Sequence, residues 1–145
     1  MTYLLDVNGL ISLGFLEHEF HRRTSAWVAT LGPDPELATC AITELGFVRV
    51  LAAVPAYRIT LVQARAALEQ LKKARRFGFL VDDHDASWLP RWVKTARQTT
   101  DGHLAELARA HGAILATLDE KIPGAFIIPG LGVPARRHGH RAPRR

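Results

Sequence analysis

Four acidic residues stand where a folded chain could gather them around one cation. They lie far apart in the sequence, each beside a predicted strand or helix, and they are Asp6, Glu44, Asp101 and Asp119. Unpaired carboxylates that share a pocket repel one another and raise each other's pKa unless a cation neutralises them. Oxygen ligands without a suitable cysteine or histidine pair favour Mg²⁺ or Mn²⁺, which retains waters and binds phosphate. The acid set therefore predicts metal-assisted chemistry on a phosphate ester.

Short apolar runs and turn residues indicate the elements that position these acids. The sequence predicts strands at 2–5, 37–40, 77–81, 113–117 and 126–128, and helices over 10–17, 20–31, 42–54, from 60 onward and over 102–111. Short apolar strands that alternate with helices are typical of a parallel sheet covered on both faces. We therefore predict an α/β fold, a three-layer α/β/α sandwich with a short, mainly parallel sheet.

All four acids fall at one edge of this predicted sheet. Asp6 follows the first strand, Asp119 follows the fourth, Asp101 opens the helix that leads into the fourth, and Glu44 lies near a helix start. Open parallel sheets bind ligands beyond the carboxyl ends of their strands. Each acid alone also fits a structural role, as a strand-end turn residue, as the N-cap of a helix from 102, or, for Glu44, as a partner of Arg49 or another cation.

The segments around these acids resemble the acidic motifs of PIN domains, in the order and approximate spacing of VapC-type toxins. The matching segments are Leu4-Leu5-Asp6-Val7-Asn8, Thr43-Glu44, Thr99-Thr100-Asp101 and Thr117-Leu118-Asp119. The resemblance covers about residues 1 to 130. Gly9 departs from the usual pattern and leaves the start of the first helix open.

The resemblance implies a function and roles for the site residues. It implies a metal site of Asp6, Asp101 and Asp119, with Asp6 and Asp101 as principal ligands and Glu44 positioning the metal or the attacking water. The supporting polar residues are Asn8 and Thr117. The activity implied is a Mg²⁺- or Mn²⁺-dependent endoribonuclease, the toxin of a type II toxin–antitoxin pair, with RNA as substrate, a VapB-like antitoxin as partner and a homodimer as assembly.

Three other function classes fit parts of the pattern. A structure-specific DNA nuclease would use similar chemistry, but normally carries helical insertions that this short chain lacks. An inactive PIN-like module that binds RNA or protein would not need the complete acid set. A phosphatase with Asp6 as its nucleophile would need a second aspartate where Asn8 stands.

Length and composition predict one cytoplasmic nuclease domain over 1–130 and a basic, flexible tail over 131–145. The single Cys40 excludes an intrachain disulfide, and neither a leader pattern nor an apolar run long enough for a membrane span is present. The tail holds five of the 19 basic residues and no acid, so the other 14 balance the 14 acids. It would either attract RNA phosphates or act as a solubilising segment.

Several conspicuous residues receive no function from the sequence. His18 and His21 flank Glu19 and Phe20, but their spacing is three rather than the four of a zinc-protease helix, so we predict surface histidines. Trp88 and Trp92 most commonly pack in the core or at its edge. The basic run 72–76 is most commonly a solvated helix face.

Overall fold

Five short strands form one fully parallel sheet in this computed structural model, which describes residues 1–132. The strands are β1 (Thr2–Leu5), β2 (Leu37–Cys40), β3 (Gly78–Leu80), β4 (Ala113–Thr117) and β5 (Phe126–Ile127). Their order is β3-β2-β1-β4-β5, and all four pairings are parallel. The central position of β1 places its carboxyl end between those of β2 and β4.

Within residues 1–132, five α-helices connect the strands and cover both faces of the sheet. They are α1 (Val7–Gly14), α2 (His21–Ala29), α3 (Ala41–Ala53), α4 (Leu61–Ala74) and α5 (Thr99–Ala110). Alternating side chains of β1 point to opposite faces, so Leu5 packs in one core with Phe47 of α3, whereas Leu4 packs in the other with Leu104 of α5. The predicted three-layer α/β/α sandwich is confirmed.

The first helix starts earlier than the sequence predicted. The predicted range of 10–17 is wrong at both ends, because α1 begins at Val7 and ends at Gly14. Asp6 is its N-cap and accepts a hydrogen bond from the Gly9 N–H at 2.7 Å. A Cβ at position 9 would lie 2.9 Å from Asp6 Oδ1. The glycine therefore allows the carboxylate to approach the backbone closely.

The helix that carries Asp101 also differs from the prediction. It begins at Thr99 rather than at Gly102, with Gln98 as N-cap, so Asp101 lies within its first turn and does not cap it. A carboxylate in the first turn of a helix is favoured by the helix dipole. The capping role for Asp101 is therefore wrong.

Two further predictions concern the membrane and the tail. No helix within residues 1–132 combines the length and the apolar character that a membrane span needs. The tail predicted over 131–145 lies outside the described residues beyond Gly132, so its role stays a prediction.

Candidate active site

Asp6 is a buried carboxylate at the carboxyl end of the central strand. Its side chain is 7% exposed, and it accepts hydrogen bonds from the Gly9 N–H and, at 2.5 Å, from the Thr117 hydroxyl. Burial raises the pKa of Asp6 to about 6, although both hydrogen bonds lower it. The negative charges of Asp101 and Asp119 also contribute to this increase. Asp6 is thus held in a place that disfavours its charge.

The other two aspartates approach Asp6 from α5 and from the end of β4. Burial and then the charge of Asp119 raise the pKa of Asp101. Asp119 is exposed, and its backbone N–H donates to the Thr117 hydroxyl at 3.0 Å. That hydroxyl therefore joins Asp6 to the backbone of Asp119. The three predicted aspartates therefore lie near enough for their charges to interact.

Two clefts meet at this acidic cluster. One, of about 230 Å³, is lined by Asp6, Val7, Asn8, Arg49, Thr100, Asp101 and Leu104. The other, of about 400 Å³, is lined by Asn8, His18, Glu19, Phe20, Leu118 and Asp119. Asn8 lines both clefts. The two clefts together offer a path for an extended ligand across the acids.

Glu44 is engaged elsewhere. Its Oε1 accepts hydrogen bonds from the Thr39 hydroxyl and from Lys72 Nζ, both at 2.6 Å. It lines neither cleft, and its charge is not among those that raise the pKa of Asp6. The cation beside it is Lys72 of α4 rather than Arg49, because the first turn of α3 directs Glu44 toward α4. The structure therefore leaves Glu44 apart from the aspartates.

The sequence of this chain is similar to those of known proteins. A family model described as the PIN domain matches residues 3–125. The chain belongs to the PIN-domain family. Two relatives from Mycobacterium tuberculosis are named Ribonuclease VapC38 and Ribonuclease VapC44. VapC38 is 41% identical in a match that covers 80% of this chain and 84% of the relative. VapC44 is 35% identical in a match that covers 90% of this chain and 94% of the relative.

Two solved structures share the fold of this PIN domain. A structure of FitAB bound to an IR36 DNA fragment matches with a TM-score of 0.57 and 20% identity, covering 83% of this chain and 87% of the other. A crystal structure of VapBC2 from Rickettsia felis, bound to a DNA fragment from their promoter, matches with a TM-score of 0.55 and 15% identity. That match covers 87% of this chain and 96% of the other. The predicted resemblance to PIN domains of the VapC type is confirmed.

The donor set of this PIN domain suits a hydrated divalent cation. Within residues 1–132, no three Asp, Glu, His or Cys side chains are close enough to enclose a metal ion. Asp6 and Asp101 nevertheless line one cleft, and the charges that act on them are negative. Mg²⁺ is commonly held by one or two carboxylates and several waters. The residues therefore fit such an ion better than one enclosed by protein ligands.

Sequence reasoning missed several residues of the PIN-domain clefts. Arg49 was considered only as a partner for Glu44, whereas it is exposed and lines the cleft of Asp6 and Asp101. His18 was predicted to be a surface histidine and Phe20 received no role, whereas both line the cleft of Asp119. An aromatic ring within a polar turn was the available signal for Phe20. For Arg49 the sequence held no signal beyond its charge.

Proposed function

We propose that this chain is a divalent-metal-dependent endoribonuclease and the toxin of a type II toxin–antitoxin pair. The observation that carries the proposal is the buried Asp6 at the end of the central strand, where the charges of the neighbouring Asp101 and Asp119 raise its pKa. The names of the relatives, which call them VapC ribonucleases, support the same activity.

The proposed site divides its work between fixed carboxylates and groups that face the substrate. Asp6, held by Gly9 and Thr117, and Asp101 on α5 would bind Mg²⁺ or Mn²⁺, with Asp119 acting on a second ion or through water. A divalent cation there lowers the pKa of water and offsets charge that develops on the phosphate. Asn8 and the Arg49 guanidinium would orient the phosphate in the cleft. No side chain is required as a nucleophile.

The proposed function includes partners and a location. By analogy with the relatives, we infer a homodimer and a VapB-like antitoxin that covers the acids, in the cytoplasm. Light scattering of the purified chain tests the dimer, and a monomer at micromolar concentration would contradict it. Co-expression with the product of a short adjacent reading frame tests the antitoxin, since a true antitoxin would co-purify and suppress cleavage.

The function is tested by metal removal and a substrate panel. The purified chain is incubated with total RNA, single-stranded DNA and flap-structured DNA, in Mg²⁺, in Mn²⁺ and in EDTA. We expect cleavage of RNA in either metal and none in EDTA. Faster cleavage of flap DNA would instead support a structure-specific DNA nuclease. RNA binding without turnover in Mn²⁺ would support an inactive binding module.

The proposed catalytic role of Glu44 has a separate test, because its carboxylate is bound by Lys72. A carboxylate that positions the metal or the attacking water predicts that Glu44→Gln lowers kcat by at least tenfold. Lys72→Met removes the competing cation, so it should preserve kcat and change the free energy of unfolding by less than about 1 kcal/mol. Equal effects of the two variants on kcat would contradict a catalytic role for Glu44 and leave it only as the ion-pair partner of Lys72.

A further inference from the structure

The cleft on the Asp119 side contains groups that the proposed hydrolysis does not use. It lies between the turn that precedes α2 and the residues that follow β4. We propose that this cleft is a nucleobase subsite, in which an unpaired base beside the scissile phosphate stacks on Phe20. The inference rests on the proposed function, because it assigns a base-recognising surface to the same site.

Phe20 has the properties of a stacking platform. Phe20 is 37% exposed and belongs to neither hydrophobic core. The Arg23 guanidinium lies 5.7 Å from the ring centroid and donates to the Ile128 carbonyl from Nε at 2.9 Å and also from Nη2. The ring is therefore supported by a side chain that is itself fixed. Proteins commonly bind unpaired RNA bases by stacking them on such aromatic side chains.

His18 adds a directional donor beside the ring. Its ring centroid lies 5.9 Å from that of Phe20, and its Nδ1 accepts the Phe20 N–H at 3.1 Å. A neutral imidazole with Nδ1 as acceptor carries its proton on Nε2, which is then a donor. Burial lowers the pKa of His18, which favours this neutral form. Glu19 lines the same cleft and supplies acceptor oxygens. A base in the cleft would therefore find a donor for its acceptor atoms in His18 and acceptors for its N–H groups in Glu19.

The position of the cleft connects base binding to the reaction. Asn8 lines this cleft and the cleft of Asp6, while Asp119 belongs to the acidic cluster and also lines this cleft. A strand that places a phosphate at the acids therefore has an adjacent nucleotide within reach of Phe20. The volume of about 400 Å³ falls within the range of small-ligand pockets.

The test uses abasic substitutions. The bond that the wild type cuts is mapped in total RNA, and a short single-stranded oligoribonucleotide that spans it is prepared with an abasic nucleotide at each position in turn. For the wild type, we expect one position beside the cut bond to lower kcat/KM by about ten- to a hundredfold when abasic. Phe20→Ala should lower kcat/KM by a similar factor on the intact oligonucleotide. An abasic nucleotide at that position should then cause no further loss in the variant. Phe20→Trp should behave like the wild type.

Three further variants separate stacking from other effects. Leu16→Ala changes a 78% exposed residue of the same turn that lies outside the cleft, so it should match the wild type. Arg49→Ala should lower kcat/KM by a similar factor across the whole series, because a phosphate contact is independent of the base. Phe20→Leu keeps an apolar side chain without a π face, and replaces Phe20→Ala if that variant unfolds.

The outcomes distinguish this inference from the proposed function. If the wild type cleaves RNA but Phe20→Ala shows the same positional profile as the wild type, the subsite is wrong and the nuclease stands. If the wild type does not cleave, fluorescence anisotropy measures binding of the same oligonucleotides. A position-specific loss of affinity that depends on Phe20 would then support the subsite without the nuclease, whereas equal affinities would overturn it.

Discussion

Asp6→Asn is expected to abolish metal-dependent RNA cleavage and, in the metal-free protein at pH 7, to raise the free energy of unfolding by about 1–2 kcal/mol. The stabilisation arises because burial and two neighbouring carboxylates disfavour the charge of Asp6. Raising its pKa from 3.8 to about 6 costs roughly 3 kcal/mol once the group is ionised. Asparagine carries no charge and keeps the hydrogen bond from Gly9, but it loses the charge-assisted bond from Thr117, which reduces the gain.

The pH dependence gives this prediction its sign. Between pH 3.8 and about 6 the folded metal-free protein holds the Asp6 proton more tightly than the unfolded chain does. The contribution of Asp6 to the stability of the wild type therefore falls as the pH rises through this window and is constant above it. The advantage of the variant should accordingly be largest at pH 7 and shrink toward pH 4.

Urea unfolding in EDTA at pH 4 and pH 7, followed by circular dichroism, measures this difference. Asp34→Asn, at an exposed position, is the control and should leave both cleavage and stability unchanged. Added Mn²⁺ should stabilise the wild type but not Asp6→Asn, because under the proposed function only the wild type would bind it in the folded state. Undiminished cleavage by Asp6→Asn, or a less stable variant at pH 7, would contradict the assignment.

Gly46→Ala is expected to lower the free energy of unfolding by about 2 kcal/mol and kcat by about tenfold. A Cβ at this position of α3 would lie 2.4 Å from Val7 Cγ2, 3.1 Å from Cγ1 and 3.3 Å from Cβ. A β-branched side chain has few rotamers with which to move away. Val7 directly follows Asp6, so displacing it also displaces the buried carboxylate. Thermal unfolding and cleavage rates measure the two effects.

A second substitution distinguishes this clash from a general defect of α3. Val7→Ala removes the clashing methyl groups. The double variant should therefore be only slightly less stable than Val7→Ala alone, so that most of the stability lost in Gly46→Ala is recovered. The cycle of the two single variants and the double variant gives their coupling energy, which should be about 1 kcal/mol or more in favour of the pair. Additive effects would show that the two positions do not interact as the close approach indicates.

The sequence predicted the elements of this fold more reliably than their ends. Apolar runs and turn residues located all five strands and the main helices, because burial sets the spacing of apolar residues and backbone geometry selects the residues in turns. The ends of α1 and α5 were misplaced, since Asp6 and Thr99 act through hydrogen bonds and first-turn geometry rather than hydrophobic spacing. Gly9 looked like a disturbance of the first helix, whereas it makes room for the Asp6 carboxylate.

The candidate site was predictable only in part. The convergence of Asp6, Asp101 and Asp119 followed from the rule that parallel strands end at one edge of a sheet. The pairing of Glu44 with Lys72 did not follow, because it depends on how α4 packs against α3. Arg49 and Phe20 reach the clefts through helix rotation and turn conformation, which a single sequence does not specify.

The pairing of β1 with β4 has a consequence for the timing of toxicity during translation. Thr2–Leu5 is synthesised before β4, and the Thr117 hydroxyl that binds Asp6 belongs to a residue made 111 positions later. A nascent or prematurely terminated chain that stops before β4 therefore lacks both Thr117 and Asp119. Under the proposed function, such a fragment is harmless to the message that encodes it, and toxicity begins only after β4 and Asp119 have been synthesised.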